Sequence, residues 1–590
     1  MSTELIGRTV APEKMASTLE EVYFWADYGS MVEKSTPVTI TSTVQLEGAE
    51  EEVVFLGVVD EASYQSSTES IHDDRRRYED DPSSEPYGVR EEGTAFYKVQ
   101  ILKTRPDLHI PPKADAVVRR ASVDEAQEAY GMDEIDGGIP VGLLRAGARA
   151  TAGPFLMDPA FIYGENGAHI NANGTSGIAV KTTTLLTFMR AAQSVSRSSR
   201  SENPSGEHFV PVPVLFNVKG ADLLYIDQPS RKFNSDPAHQ DAWQEMGVQP
   251  EPFLGARFMV PGTPSDPNLP RPLANRPGLE AYNWGLQDVI ERGLLHFLFT
   301  EEDMANQNFR FLVNRWEQLL TRWEDGRRVL HHSDDLPKTF EQLCNAIAQD
   351  AGHESTAGRG ADYTHAATAQ KLYRRLMKVK YEAEGVIVWD RPLGRPPTIK
   401  HTGIPPAHVI DLASISSAPD LQRFVIASVL QDLLHHRTKP SAPRGVRYLV
   451  MLDELNQWAP RGGRDPITRL LERIASEMRS LGIVLCGAQQ FASQVSARIP
   501  ENSALRIIGR TGPGELTDDL YRFLTPADRR AAARLRPGEL LVYSPNMRGT
   551  AAVRLPFPPW ATGPEDVLAE TEIIEVTDAE IRLPDHGIGI

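Results

Sequence analysis

The sequence predicts an α/β protein: a small N-terminal β-barrel, then a mostly parallel sheet flanked by helices, with a helical subdomain inserted into the sheet's connectivity. Three observations predict it. Residues 1–118 carry short β-branched and aromatic runs broken by turn residues, with no helical period. Further along, short apolar runs alternate with amphipathic segments, the pattern of a parallel sheet with helices on both faces. Interrupting that alternation, residues 270–382 show apolar positions at three-and-four spacing, as helices require.

Within the barrel, residues 38–40, 52–59 and 94–101 are the strand signals. The intervening ESIHDDRRRYEDDPSSEPYGVREEG is dense in charge, Ser and Pro and reads as a hairpin insertion; acids flank its Arg75-Arg76-Arg77 run, which favours a solvated loop. Residues 119–162 read as a connector in which PVGLLRAGARA adds a strand. The first part of the core spans 163–269. It holds a strand over 168–172, a Gly-rich turn, a helix from near Lys181, the polar insert SVSRSSRSENPSGEH, and an apolar strand in VPVPVLFNVKGADLLYID that leads to a turn with Lys219, Asp222 and Asp227. In the helical insertion, 270–382, Trp284, Trp316 and Trp323 read as core fillers. The second part of the core, 383–561, resumes with strands in GVIVWD and HVIDLA. A long helix follows, PDLQRFVIASVLQDLLHHR, with His435-His436 as a surface helix end. After the strand RYLVML come a helix ending near Leu481, the strand GIVLCGAQQ, and further strands in RIIGRTG and GELLVYSPNMRGTAAVRLPF. Residues 562–590 form an acidic, loosely patterned tail.

The most informative stretch is RYLVMLDELNQWAP. The apolar run 448–452 suits a strand buried on both faces, and it stops at Asp453 and Glu454. Ligands of parallel sheets bind at the carboxyl ends of the strands, where these acids emerge. One carboxylate can hold a magnesium ion through its water shell, and the next can polarise an attacking water. That is the Walker B arrangement. Adjacent acids also open ordinary solvated loops, so an upstream phosphate loop decides the matter.

AHINANGTSGIAVKTTTLLTFMRAA supplies one, in irregular form. Gly174, Thr175, Ser176 and Gly177 allow backbone amides to curl round phosphate oxygens at a helix N-terminus. Lys181 is placed to reach the β- and γ-phosphates of ATP. Thr182 offers a hydroxyl to Mg2+, and Thr183 follows it in the binding turn. The spacing departs from G-x-x-x-x-G-K-[ST]: Val180 stands at the second Gly and Thr175 at the first, and counting from Gly174 makes the loop one residue too long. Alone, the loop is equally a Gly-rich turn without phosphate; paired with Asp453 and Glu454, the nucleotide reading wins.

The chain has 590 residues, enough for two or three domains. Cys344 and Cys486 are its two cysteines, which excludes a disulfide framework and points to a reducing cytoplasm. The N-terminus MSTELIGRTVAPEK lacks a basic-then-apolar signal pattern, and no apolar run reaches the length of a membrane span. A net charge of −18 argues against a broadly basic nucleic-acid coat. DNA held inside a ring by a few local cations stays compatible, as does docking to a basic protein.

On these residues the chain resembles the HerA–FtsK superfamily of hexameric ATPases, specifically bacterial HerA-like proteins, over nearly its whole length. The resemblance implies a RecA-like core behind a barrel of the ATP-synthase type, with Lys181 and Thr182 as the phosphate-loop pair, Asp453 as the magnesium acid and Glu454 as the catalytic base. It implies Gln489 as a polar sensor at the end of the next strand. Arg510 and Arg506, with Arg479 behind them, are the candidate fingers reaching a neighbouring subunit. It further implies a homo-oligomer, most simply a hexamer, that translocates double-stranded DNA beside a nuclease or a sirtuin-type effector. An ATP-gated scaffold that activates such an effector without moving DNA is the alternative.

Overall fold

The computed structural model describes residues 5–11, 16–26, 31–46, 48–66, 75–76, 78–84, 93–175, 181–202, 208–273, 276–352, 366–383, 385–403 and 405–568. The Arg75-Arg76-Arg77 run, the Gly-rich turn and the tail 562–590 thus lie partly outside the described residues; of the tail, residues 562–568 are described, and Asp566 is buried against Ser230.

Alternation of inward apolar and outward polar residues closes the N-terminal segment into a six-stranded antiparallel barrel, as expected. Its strands follow the order Leu5–Val10, Glu21–Ala26, Gly93–Arg105, Ala49–Ser66, Pro37–Leu46 and Val117–Arg120, which returns to the first. Val22, Phe24, Val38, Ile40, Val53, Phe55 and Val99 fill the interior, with Phe24 stacked on Tyr97 at 4.9 Å. Each fully buried side chain of this size contributes about 1.5–3 kcal/mol.

The core is a twelve-stranded sheet. Eight parallel strands run Leu279–Tyr282, Arg257–Pro261, His408–Asp411, Val210–Asn217, Val446–Leu452, Ile483–Gln489, Ile170–Asn173 and Leu505–Ile508. Four antiparallel strands complete it: Glu539–Tyr543, Ala551–Arg554, Ile139–Arg145 and Thr151–Met157. The segment read as a connector with one strand therefore contributes two, at the sheet's antiparallel edge. Successive residues of the Val446–Leu452 strand go to opposite faces. Val450 and Leu452 join one core with the helices Pro419–Arg437 and Pro466–Glu477 and the helical insertion. Leu449 and Met451 join the other, under the helix Lys181–Glu202.

Differences from expectation occur within residues 270–382, where Leu279–Tyr282 is a strand of the core sheet, and just after them. Trp284 and Trp316 are core residues, but Trp323 lies on a short hairpin, Thr321–Glu324 with Arg327–Leu330, and is 66% exposed. Residues 385–388 of GVIVWD are buried yet form no sheet strand; Val386 and Val388 exchange backbone hydrogen bonds with Trp284 instead. Beyond the insertion, His436 is not a plain surface end: it packs 4.1 Å from the His401 ring and its Nδ1 lies 3.1 Å from the Tyr448 hydroxyl. Cys344 and Cys486 are free and buried, and no described helix is long and apolar enough to cross a membrane.

Candidate functional site

Parallel register aligns the carboxyl ends of the central strands at one edge: Leu452 opposes Gly487, Gln489 opposes Asn173, and Asn217 opposes Asp411. The site residues emerge along that edge.

After Asn173 the chain turns at Gly174, whose φ of 149° favours glycine. Thr175 is latched to Arg510, whose carbonyl accepts from Thr175 N at 2.8 Å and from Thr175 Oγ1 at 3.1 Å. Ser176, Gly177 and Val180 lie outside the described residues. The chain resumes at Lys181, the first residue of the helix Lys181–Glu202; Leu185, Phe188 and Met189 of that helix are buried in the core.

Lys181 is only 7% exposed, and its Nζ meets no hydrogen-bond partner among the described residues. Burial lowers its pKa, an effect that the nearby charges of Asp453 and Glu454 oppose. A buried ammonium without a partner is costly, and at a helix N-terminus the group that satisfies it is an anion. Thr182 Oγ1 donates to Asp453 Oδ2 at 3.3 Å. Thr182, Thr183, Lys219, Asp222 and Asp453 line a cavity of about 210 Å³ at this edge. Magnesium in such sites is held by one or two protein oxygens, substrate phosphates and water, so Thr182 and Asp453 form a suitable donor set.

The two acids are fixed by their own turn. Asp453 Oδ1 accepts from Glu454 N at 2.8 Å, and Trp458 Nε1 donates to the Asp453 carbonyl at 2.8 Å. Glu454 takes φ 50°, ψ 47°, a left-handed conformation that costs a non-glycine residue on the order of 1–2 kcal/mol. The turn aims its buried carboxylate back across the strand ends. There it meets the Lys219 ammonium in a short ion pair, and Gln490 Nε2 donates to the same Oε1 at 3.4 Å.

Thus Lys181, Thr182, Thr183, Asp453 and Glu454 share one site, bordered by Gly174 and Thr175. The other expected residues divide. Gln489 is fully buried and exchanges two amide hydrogen bonds with Asn171, at 2.7 and 3.4 Å, on the adjacent strand. Arg506 is half-buried, donates to the Leu520 carbonyl at 3.3 Å and sits 5.0 Å over the Phe523 ring, so its guanidinium is occupied within its own chain. Arg510 presents an exposed side chain at the strand-end edge. Arg479 precedes the strand Ile483–Gln489 and so stands at the opposite edge of the sheet, roughly 20 Å away along a strand of this length.

Two site residues escaped sequence reasoning. In the sequence Lys219 reads only as part of a turn, although the strand before it is the immediate neighbour of the one carrying the acids. The sequence points to Gln489 and not to Gln490; strand alternation is the signal that finds Gln490, since adjacent residues face opposite ways.

No family model matches the chain, and no curated protein matches it. Among solved structures, VirB4 of Thermoanaerobacter pseudethanolicus is similar at 12% identity over 72% of this chain and 97% of that one, with a TM-score of 0.41. The bacterial conjugative coupling protein TrwBdeltaN70 is similar at 13% identity over 76% and 95%, with a TM-score of 0.40. The genome packaging NTPase B204 from Sulfolobus turreted icosahedral virus 2 is similar at 12% identity over 25% and 68%, with a TM-score of 0.20.

Proposed function

We propose that this chain is an ATPase of the HerA–FtsK kind. The observation that carries the reading is the buried Lys181 ammonium at a helix N-terminus, which meets no hydrogen-bond partner among the described residues and stands next to a threonine hydroxyl hydrogen-bonded to Asp453. A polyphosphate supplies an anion for Lys181. Magnesium bound by Thr182 and Asp453 would neutralise charge on the β- and γ-phosphates. In the hydrolytic step a water oxygen bonds to the γ-phosphorus and Glu454 takes the water's proton. The bond from γ-phosphorus to the β–γ bridging oxygen breaks, its electron pair leaving with ADP. Lys181 stabilises charge on the phosphoryl oxygens.

The proposal extends to assembly and task. The chain works as a homo-oligomeric ring, most simply a hexamer, in which Arg510 of one subunit completes the site of the next. The ring moves double-stranded DNA beside a nuclease or other effector, in DNA-end processing or defence against phage. The exposed Arg510 side chain, tied through its carbonyl to Thr175, supports its choice over Arg506. The test is ATPase activity with and without double-stranded DNA. Stimulation by DNA that Glu454→Gln abolishes supports the motor. Hydrolysis indifferent to DNA overturns the motor in favour of an ATP-gated scaffold for the effector.

A further inference from the structure

We propose that Lys219 is a second cation of the hydrolytic site, one that occupies Glu454 until a γ-phosphate draws it away, so that the site distinguishes ATP from ADP before chemistry begins. This rests on the ATPase reading above. Lys219 follows the strand Val210–Asn217, which pairs directly with the strand ending at Leu452. It lines the same cavity as Thr182, Thr183 and Asp453, and its ammonium lies on Glu454 Oε1.

Three features make this pair a poised contact and not a structural brace. The Lys219 side chain is 55% exposed while that of Glu454 is 6% exposed, so one partner is fixed and the other is held weakly against competing water. The ammonium ends a flexible four-carbon stem and can change partner without backbone movement. Gln490 Nε2 also reaches Glu454 Oε1, at 3.4 Å, so the carboxylate keeps a neutral donor when the ammonium leaves. Charge balance gives the direction of the move. Lys181 and Lys219 face three acids, Asp453, Glu454 and Asp222; a bound triphosphate adds further negative charge in the cavity that Lys219 lines. Phosphate oxygens then compete with Glu454 for the ammonium.

The move has a consequence for the reaction. While Lys219 and Gln490 both donate to Oε1, that oxygen is not available to accept a proton. Once Lys219 turns to the γ-phosphate, Oε1 accepts the proton of the water whose oxygen bonds to the γ-phosphorus, and the bond to the β–γ bridging oxygen breaks toward ADP. Lys219 keeps its own proton throughout and stabilises charge on the transferred phosphoryl group. ADP has no γ-phosphate and leaves the pair intact.

The experiment measures binding of ADP and ATPγS with magnesium, and steady-state hydrolysis, on the full chain carrying Lys219→Met or Lys219→Arg. The expected result for Lys219→Met is a loss of about tenfold or more in ATPγS affinity, ADP affinity within about twofold of the parent, and a fall in kcat of ~10²-fold, the size seen when one transition-state donor is removed. Lys219→Arg should retain most of the ATPγS preference. Equal losses for the two nucleotides, unchanged ATPγS binding, or faster hydrolysis by Lys219→Met would each overturn the assignment. Lys181→Met separates the failures: if it still binds and hydrolyses ATP, the placement of the phosphates at Lys181 falls, whatever Lys219 does, and if the parent neither binds nor hydrolyses ATP, the ATPase reading itself falls.

Discussion

Glu454 combines a chemical role with a backbone cost, and the two separate by substitution. Its φ of 50° and ψ of 47° lie in the left-handed region. An L-residue other than glycine pays on the order of 1–2 kcal/mol there, and glycine almost none. Glycine loses about 0.5–1 kcal/mol through its freer unfolded chain. Glu454→Ala and Glu454→Gly discard the same contacts, to Lys219 and Gln490. Their difference therefore isolates the backbone term, and Glu454→Gly should be the more stable of the two by about 1 kcal/mol. Glu454→Gln keeps the side-chain volume and an oxygen acceptor but gives up the charge paired with Lys219, so its stability should change by about 1 kcal/mol. Its hydrolysis should nevertheless fall by ~10²–10⁴-fold, the usual worth of a general base. Urea unfolding of the nucleotide-free protein reads the first comparison, and single-turnover hydrolysis reads the second. An alanine variant as stable as the glycine variant refutes the strain argument. A glutamine variant hydrolysing within about tenfold of the parent refutes the base.

Lys181→Met should abolish MgATP binding, read by calorimetry, yet raise ligand-free stability by about 1 kcal/mol, because it removes a buried ammonium that has no partner among the described residues; a variant less stable than the parent would assign Lys181 a structural role. Burial pushes the His169 pKa from 6.5 down to about 4 while its Nδ1 accepts from Leu485 N at 3.0 Å. The unfolded chain then takes up the proton first, so this contribution is full above about pH 6.5, falls by on the order of 3 kcal/mol as pH drops and levels off below about 4. His169→Asn, which tolerates the φ of 70°, should flatten the pH slope of urea stability by about one proton, and an unchanged slope would count against the buried neutral imidazole. Arg510→Ala and Glu454→Gln, each inactive alone, should regain part of their activity when mixed if the arginine serves a neighbour; no recovery in a mixed assembly argues for action within one chain.

The parts of the site that were legible in the sequence are those set by short-range chemistry. A run of apolar residues ending in two acids announces a buried strand and its carboxyl end whatever surrounds it. Lys181 and Thr182 are fixed as a pair by the helix they begin. What the sequence hid depends on which strands become neighbours. Nothing within VPVPVLFNVKG says that its strand will lie beside the one ending at Leu452, and only that adjacency puts Lys219 on Glu454. GVIVWD misled for a related reason: burial under the helical insertion makes a run apolar as effectively as a sheet does. Trp323 misled in the other direction, since the Asp325-Gly326 turn, with φ of 49° and 74°, ends the helical pattern in a hairpin and leaves the indole outside.

Gln489 is where resemblance and geometry pull apart, and a double-substitution cycle decides between them. As a sensor, its amide must report on the nucleotide. In the fold it is spent on Asn171, with Gln489 Nε2 donating to Asn171 Oδ1 at 2.7 Å and Asn171 Nδ2 donating back at 3.4 Å, both residues buried. That pair bridges the strand bearing the phosphate loop and the strand next to the acids. Replacing either residue by leucine leaves a buried amide unsatisfied, at a cost of about 1–3 kcal/mol, whereas replacing both removes donors and acceptors together and should recover much of the loss. If Gln489 only braces the two strands, hydrolysis will track stability: impaired in each single variant and largely restored in the double. If its amide leaves Asn171 to orient water or feel the γ-phosphate, the double variant will be stable and still slow, because leucine can do neither. Stability restored without activity would therefore assign Gln489 to the chemistry. Recovery of both together would transfer the sensing role to Gln490, whose amide already touches Glu454.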